Sequence, residues 1–292
     1  MQMVVYLQIL CYNILMINWF PGHMSKTLKQ MQNDSKFCDC FIYVVDSRCP
    51  KSCINPEFLK VVKGKPVIFA LNKADLVEKS DIERHKQYFN SLGHSCVSLN
   101  ATVSGNAKVI ISAIKNVFKE RLESNKAKGV NFILRAMVLG VPNSGKSTIV
   151  NNLCNKGRAV TGNKAGVTRS KLWVKVDGNI EFMDTPGVLL PNFDDENNAY
   201  NLAFVGSVRD DVLNLVDVSC KLIDRLRKIS PQALVSKYGV SFEENTLSVD
   251  VLTQIGKKRG CMIKGGEVDL ERASKVVITE FRATKLVKIC LE

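Results

Sequence analysis

Short continuous apolar runs, separated by segments of helical period, dominate the first two thirds of the chain. Residues 41–45 (Phe-Ile-Tyr-Val-Val), 66–71, 96–99 and 132–139 read as strands, and the unbroken β-branched and aromatic runs are those of strands buried on both faces. Between them, residues 25–33, 81–92 and 107–123 place apolar positions at helical spacing, and residues 124–129 form a polar linker. Residues 171–176 and 180–183 flank Asp177-Gly178 as a hairpin-like pair. Strands that alternate with helices predict a parallel-rich sheet with helices on both faces. Beyond about Val205 the texture becomes all-helical, with helices expected at 208–229, 231–238, 249–259 and 270–285, the last N-capped by Asp269. The expected organisation is an apolar extension at 1–15 outside the core, an α/β domain at 16–205 and a small all-α domain at 206–292.

Charge changes this picture. The 292 residues carry a formal net charge of +13, which points to a polyanionic partner, nucleic acid or a membrane surface. Fourteen basic residues against two acids lie between Ser104 and Lys175, whereas residues 206–292 hold fifteen against twelve. Residues 1–15 are uncharged but too short to span a bilayer, so no integral membrane association is expected. The ten cysteines lack a secretory context and read as reduced cytoplasmic thiols. Cys38, Cys40, Cys49 and Cys53 cluster in sequence without a C-x-x-C knuckle, which disfavours structural zinc.

Candidate chemistry begins at Gly140-Val-Pro-Asn143-Ser144-Gly145-Lys146-Ser147-Thr148, a P-loop placed between a strand and a helix. Its glycines let backbone N–H groups cradle phosphates. Lys146 supplies charge to the β- and γ-phosphates, and Ser147 offers a hydroxyl to Mg²⁺. Asn72-Lys73-Ala74-Asp75 follows the second strand. A carboxylate at Asp75 accepts from both N1–H and the exocyclic amine of guanine, a donor pair that adenine lacks, so GTP is selected over ATP. Asp184-Thr-Pro-Gly187 is positioned to hold Mg²⁺ through Asp184 and to sense the γ-phosphate through the Gly187 N–H. Thr168, in Gly166-Val-Thr-Arg169, is expected to close over Mg²⁺, and Ala101 to contact the base through its backbone, Asn100 standing where a serine is usual.

These motifs run in a cyclic permutation of the usual GTPase order, with Asn72–Asp75 and Ala101 ahead of the P-loop, then Thr168 and Asp184–Gly187. The fold predicted is a circularly permuted P-loop GTPase domain followed by the helical one. The glutamine that orients the attacking water in Ras-type enzymes is missing, because Val188-Leu-Leu follows Gly187. His23, in Trp19-Phe-Pro-Gly-His-Met24, is a candidate for that work, alongside a simple packing role; His85 and His94 read as solvated surface positions.

The segments N-W-F-P-G-H-M, V-V-D-x-R-x-P (Val44 to Pro50), N-K-A-D, G-x-P-N-x-G-K-S, G-V-T-R, D-T-P-G-V and R-G-C-x-x-x-G-G-x-V-D (Arg259 to Asp269) together resemble the ribosome biogenesis GTPase A family, from about Met16 onward. The resemblance implies a GTP-hydrolysing factor that binds a late precursor of the large ribosomal subunit and its rRNA and leaves on hydrolysis. It also implies slow turnover until the particle activates it, a monomer off the ribosome, and a cytoplasmic or organellar-matrix location. The family's helical domain contacts rRNA, which casts Lys257, Lys258, Arg259 and Lys264 as phosphate contacts. Two other readings stay open: a nucleotide-gated RNA or ribosome-binding regulator with little hydrolysis, and a permuted GTPase of small-subunit maturation. A P-loop kinase is disfavoured by N-K-A-D.

Overall fold

The computed structural model describes residues 22–154, 173–189 and 195–292. They fall into two compact units, one built from residues 22–189 with Ile289–Glu292, the other from 195 to Lys288. The division differs from a boundary at 205/206: helix 196–204 groups with the helical unit, and the last four residues return to the GTPase unit.

The GTPase unit is a six-stranded sheet of order β3-β2-β1-β4-β6-β5, comprising β1 Cys40–Asp46, β2 Val67–Asn72, β3 Ser95–Ser98, β4 Leu134–Leu139, β5 Trp173–Asp177 and β6 Ile180–Asp184. Every pairing is parallel except β5 with β6, the hairpin expected around Asp177-Gly178. All residues of β1 and β2 are buried, which is why these runs are apolar without alternation. Successive side chains serve opposite faces. Ile42 and Val44 join Ile68, Ala136 and Val138 beneath α4 (Lys108–Val117) and α6 (Lys146–Cys154), which contribute Ile110, Ile114, Ile149 and Val150. On the other face Tyr43 stacks on Phe69 at 5.1 Å and Phe69 on Phe89 at 4.1 Å, Phe89 coming from α3 (Lys79–Ser91). Tyr43 meets Phe58 of α2 (Pro56–Val62) edge-on at 5.6 Å. α1, Gly22–Asp34, precedes the sheet.

The helix expected at 107–123 is two helices, with Phe118 turning the chain between α4 and α5 (Lys119–Ala127). α5 also takes up part of the segment read as a linker, and none of its residues is buried. His85, expected in solvent, is 2% exposed on the inner face of α3, while His94 is half-buried against the Phe69 ring. Helical period alone does not report which side of a polar helix another segment covers.

In the second unit α8 (Leu215–Ile229) packs against α7 (Glu196–Phe204), α9 (Pro231–Tyr238), α10 (Ser248–Lys258) and α11 (Leu270–Arg282). The single helix expected over 208–229 is interrupted: Asn214 accepts from the N–H groups of Val216 and Asp217 and so starts α8 afresh, after a short 3₁₀ turn at Asp210–Val212. Asp269 caps α11 through the Arg272 N–H, as read from the sequence. Gly256 permits close approach, since a Cβ there would lie 2.3 Å from Val268 Cγ1. Arg282 donates to the carbonyls of Ala203 and Phe204 at the end of α7 and to Asp210, satisfying helix-terminal acceptors.

Candidate functional site

In a parallel sheet the carboxyl ends of the strands lie on one edge, and ligands bind in the crevice beyond it. The expected motifs follow β2, β3, β4 and β6 and therefore share that edge. Gly140 leaves β4 at φ +148°, and a Cβ there would lie 2.4 Å from the Val44 carbonyl oxygen. Asn143, at φ 57°, and Gly145, at φ +100°, complete the turn before α6 starts at Lys146. Ser144, fully buried, donates to the Val141 carbonyl at 3.0 Å, a structural task for a residue read as a ligand contact. Thr148 stands half-buried in the first turn of α6.

Lys146 is 6% exposed, and its Nζ donates to the Val141 carbonyl at 2.9 Å. Burial pushes its ammonium down to about 8 against the opposing pull of Asp184. Ser147 Oγ donates to Asp184 Oδ2 at 2.6 Å. Burial raises the Asp184 carboxyl despite that bond and the nearby Lys146, and Asp184 Oδ1 is buried with no hydrogen-bond partner among the described residues. A serine hydroxyl beside a buried carboxylate with an unused oxygen is an oxygen donor set that suits a hard divalent cation such as Mg²⁺. Gly187 lies so close to the P-loop that a Cβ would sit 2.6 Å from Pro142 Cα and 3.0 Å from Lys146 Nζ.

One amide joins the two halves of this edge. Asn72 Nδ2 donates to the Ser144 carbonyl at 2.8 Å, and its Oδ1 accepts from the Ala101 N–H at 3.0 Å. Ala74 N–H bonds the Leu99 carbonyl at 3.1 Å, and Asn152 on α6 donates to the carbonyls of Ala101 and Val103. The loops after β2 and β3 and the P-loop thus form one bonded surface, with the Asp75 side chain exposed in the 3₁₀ turn Ala74–Leu76.

The model of a family described as 50S ribosome-binding GTPase matches residues 135–249. A Bacillus cereus protein named ribosome biogenesis GTPase A is 37% identical over 279 residues, covering 95% of this chain and 94% of that one. A protein of the same name from Bacillus licheniformis is 36% identical over 279 residues, covering 95% and 98%. The chain belongs to the ribosome biogenesis GTPase A family. GNP-bound YlqF from Thermotoga maritima shares the fold, with a TM-score of 0.63 at 22% identity over 91% of this chain and 97% of that one.

This family member carries its motifs in permuted order on a P-loop GTPase sheet. Of the residues expected at the site, the fold brings Asn72, Lys73, Asp75, Ala101, Lys146, Ser147, Asp184 and Gly187 to one edge of the sheet. Thr168 lies outside the described residues; so does the side chain of His23, whose backbone belongs to α1. Lys257, Lys258, Arg259 and Lys264 are exposed on the helical unit. Arg259 there is engaged, pairing with Glu280 at 2.9 Å and lying over the Tyr238 ring at 5.2 Å.

Asp46 and Arg48 were not among the expected site residues, although V-V-D-x-R-x-P contains both. Asp46 is 1% exposed and accepts from Arg48 N–H at 3.1 Å, Arg48 Nε at 2.9 Å, Arg48 Nη2 at 2.8 Å and Lys73 Nζ at 2.8 Å. Burial alone would raise its carboxyl, but the Arg48 and Lys73 cations outweigh burial and hold it well below the usual carboxylate range. Lys73, in left-handed backbone at φ 59°, is thereby pinned at the entrance to the base-side turn. A charged pair ending a fully apolar strand was the available signal.

Proposed function

We propose that this GTPase binds a late precursor of the large ribosomal subunit in its GTP state and is released when GTP is hydrolysed. The observation that carries the reading is the single bonded edge joining Asn72–Asp75 and Ala101 to the P-loop and Asp184, in a chain whose relatives are named for ribosome biogenesis. The Asp75 carboxylate takes the guanine N1–H and amine, and the Ala101 backbone supports the base. Backbone N–H groups of Asn143, Ser144 and Gly145 face the phosphates, and Lys146 leaves the Val141 carbonyl to pair with the β- and γ-phosphate oxygens. Ser147, Asp184 and Thr168 would hold Mg²⁺, which when bound would neutralise charge on those oxygens. Gly187 N–H donates to the γ-phosphate.

Water attacks the γ-phosphorus, the bond to the β–γ bridging oxygen breaks, and GDP and phosphate leave, the water's proton passing to the phosphate. Val188 and Leu189, which follow Gly187, are buried apolar residues and cannot orient that water. His23 or a group on the particle supplies this, so turnover stays slow until the particle binds. Lys257, Lys258, Arg259 and Lys264 contact rRNA phosphates. The protein is monomeric off the ribosome and works in the cytoplasm, or in an organellar matrix in a eukaryote. No helix of the described residues is long and apolar enough to cross a membrane.

The test is sedimentation with large-subunit precursors under GTP, GDP and a non-hydrolysable analogue, paired with GTP turnover with and without particles. Co-migration in the GTP-like state and faster turnover with particles are expected. Binding indifferent to nucleotide, or turnover unmoved by particles, overturns the reading.

A further inference from the structure

Among the described residues the chain leaves the GTPase unit after Leu189 and returns to it for four residues, Ile289–Glu292. These residues do not simply trail along the surface. Ile289, Cys290 and Leu291 are 7%, 6% and 3% exposed. Ile289 N–H donates to the carbonyl of Leu76, the last residue of the 3₁₀ turn that carries Asp75, at 3.2 Å. Leu291 N–H donates to the carbonyl of Arg48 at 2.7 Å. The segment therefore bridges the loops that follow β1 and β2.

Its last side chain closes a third contact. Glu292 Oε2 accepts from Lys51 N–H at 2.7 Å, and Oε1 accepts from Ser52 N–H at 2.8 Å and from the Ser52 hydroxyl. Cys290 Sγ lies 3.3 Å from Nε2 of buried His85 on α3, and Arg84 donates to the Glu292 carbonyl. Three elements are thus touched: the loop after β1, the 3₁₀ turn after β2, and α3. From Arg48 the connections run on through Asp46 to Lys73, beside Asp75.

We infer that Ile289–Glu292 is a brace that positions the guanine-reading turn, with Glu292 and Leu291 as positioning residues for base specificity. The inference rests on the reading of Asp75 as the guanine acceptor. The loop after β1 has no regular secondary structure between Asp46 and Pro56, so its backbone N–H groups at Lys51 and Ser52 need an acceptor, which Glu292 supplies. Without it the loop, Arg48 and Lys73 lose a common anchor, and Asp75 meets the base with a looser geometry. None of the brace contacts described above goes directly to β4 or α6, on which phosphate binding is built.

The experiment compares fluorescent GDP and inosine diphosphate on the full chain. Hypoxanthine lacks the exocyclic amine that Asp75 accepts, so the ratio of the two dissociation rates reports how well Asp75 is placed. Wild type is expected to release inosine diphosphate faster than GDP; if it binds neither, or does not distinguish them, the guanine reading itself fails. In Glu292→Ala and Leu291→Ala the GDP release rate is expected to rise about tenfold, the scale of one misplaced hydrogen bond. Inosine diphosphate, which offers Asp75 only its N1–H, should be accelerated clearly less, so that the ratio falls towards one, and Glu292→Gln, which keeps one acceptor oxygen, should fall between. A wild-type ratio in folded variants overturns the brace, as does an equal acceleration of both nucleotides or a lowered thermal midpoint with the ratio intact. Should either alanine variant fail to fold, Glu292→Gln carries the comparison.

Discussion

Replacing Asp46 by alanine removes the carboxylate that is hydrogen-bonded to Arg48, and Arg48 is itself 3% exposed. Removing one partner of a buried charge pair costs about 3–5 kcal/mol, against about 5–15 kcal/mol for the whole stability of a domain. The variant should therefore fold, with a urea midpoint well below wild type and an unchanged m value, read by circular dichroism. Adding Arg48→Met should recover much of the loss, because replacing a buried pair by apolar groups is often close to neutral. The pH dependence has a definite sign. Asp46 has a depressed folded pKa, so its contribution is present above the unfolded carboxylate value near 3.9 and is lost as pH falls towards the folded one. The gap between wild type and Asp46→Ala should accordingly narrow below about pH 4. A penalty under about 1 kcal/mol at pH 7, or a double variant no more stable than Asp46→Ala, would refute the view that this cluster is a mutually dependent buried pair.

Three further outcomes follow from the site. Asp75→Asn turns an acceptor into a donor, so affinity for GTP should fall at least about tenfold while xanthosine triphosphate, with a carbonyl in place of the amine, becomes the better ligand; competition binding reads this. Gly145→Ala would place a Cβ 2.1 Å from Asn72 Nδ2 at φ +100°, and GTP binding measured by calorimetry should be lost in a protein that stays folded. Lys257→Glu with Lys258→Glu should weaken particle binding and flatten its dependence on salt, by about one unit of log-log slope for each phosphate no longer neutralised, leaving turnover without particles unchanged.

Much of the sheet and of the phosphate site was legible because each rests on local pattern. Buried parallel strands must be apolar throughout, and a P-loop needs its glycines where the backbone turns close to Val44 and Asn72. What escaped was set by distant contacts. The burial of His85 depends on Cys290, and the order in the loop after β1 depends on Glu292, both more than two hundred residues away. The break at Asn214 hid because its flanks keep helical spacing on both sides while the cap is one polar residue. Asp46, Arg48 and Lys73 looked like ordinary loop charges, and only the β1–β2 pairing, which sets Asp46 opposite Asn72, brings Lys73 beside Asp46.

The pairing of β1 with β4, from Cys40 opposite Ala136 to Tyr43 opposite Leu139, bears on how the protein is made. Synthesis runs from the N-terminus, so β1, β2 and β3 emerge from the ribosome with the Asn72–Asp75 turn before any of the P-loop strand exists. Until residues 134–139 arrive, one edge of β1 offers open backbone groups along a strand that is apolar up to Asp46, the kind of edge that recruits other chains. In the usual motif order the P-loop strand is already waiting. Permutation thus leaves one specific edge of β1 open in the nascent chain until the P-loop strand is made.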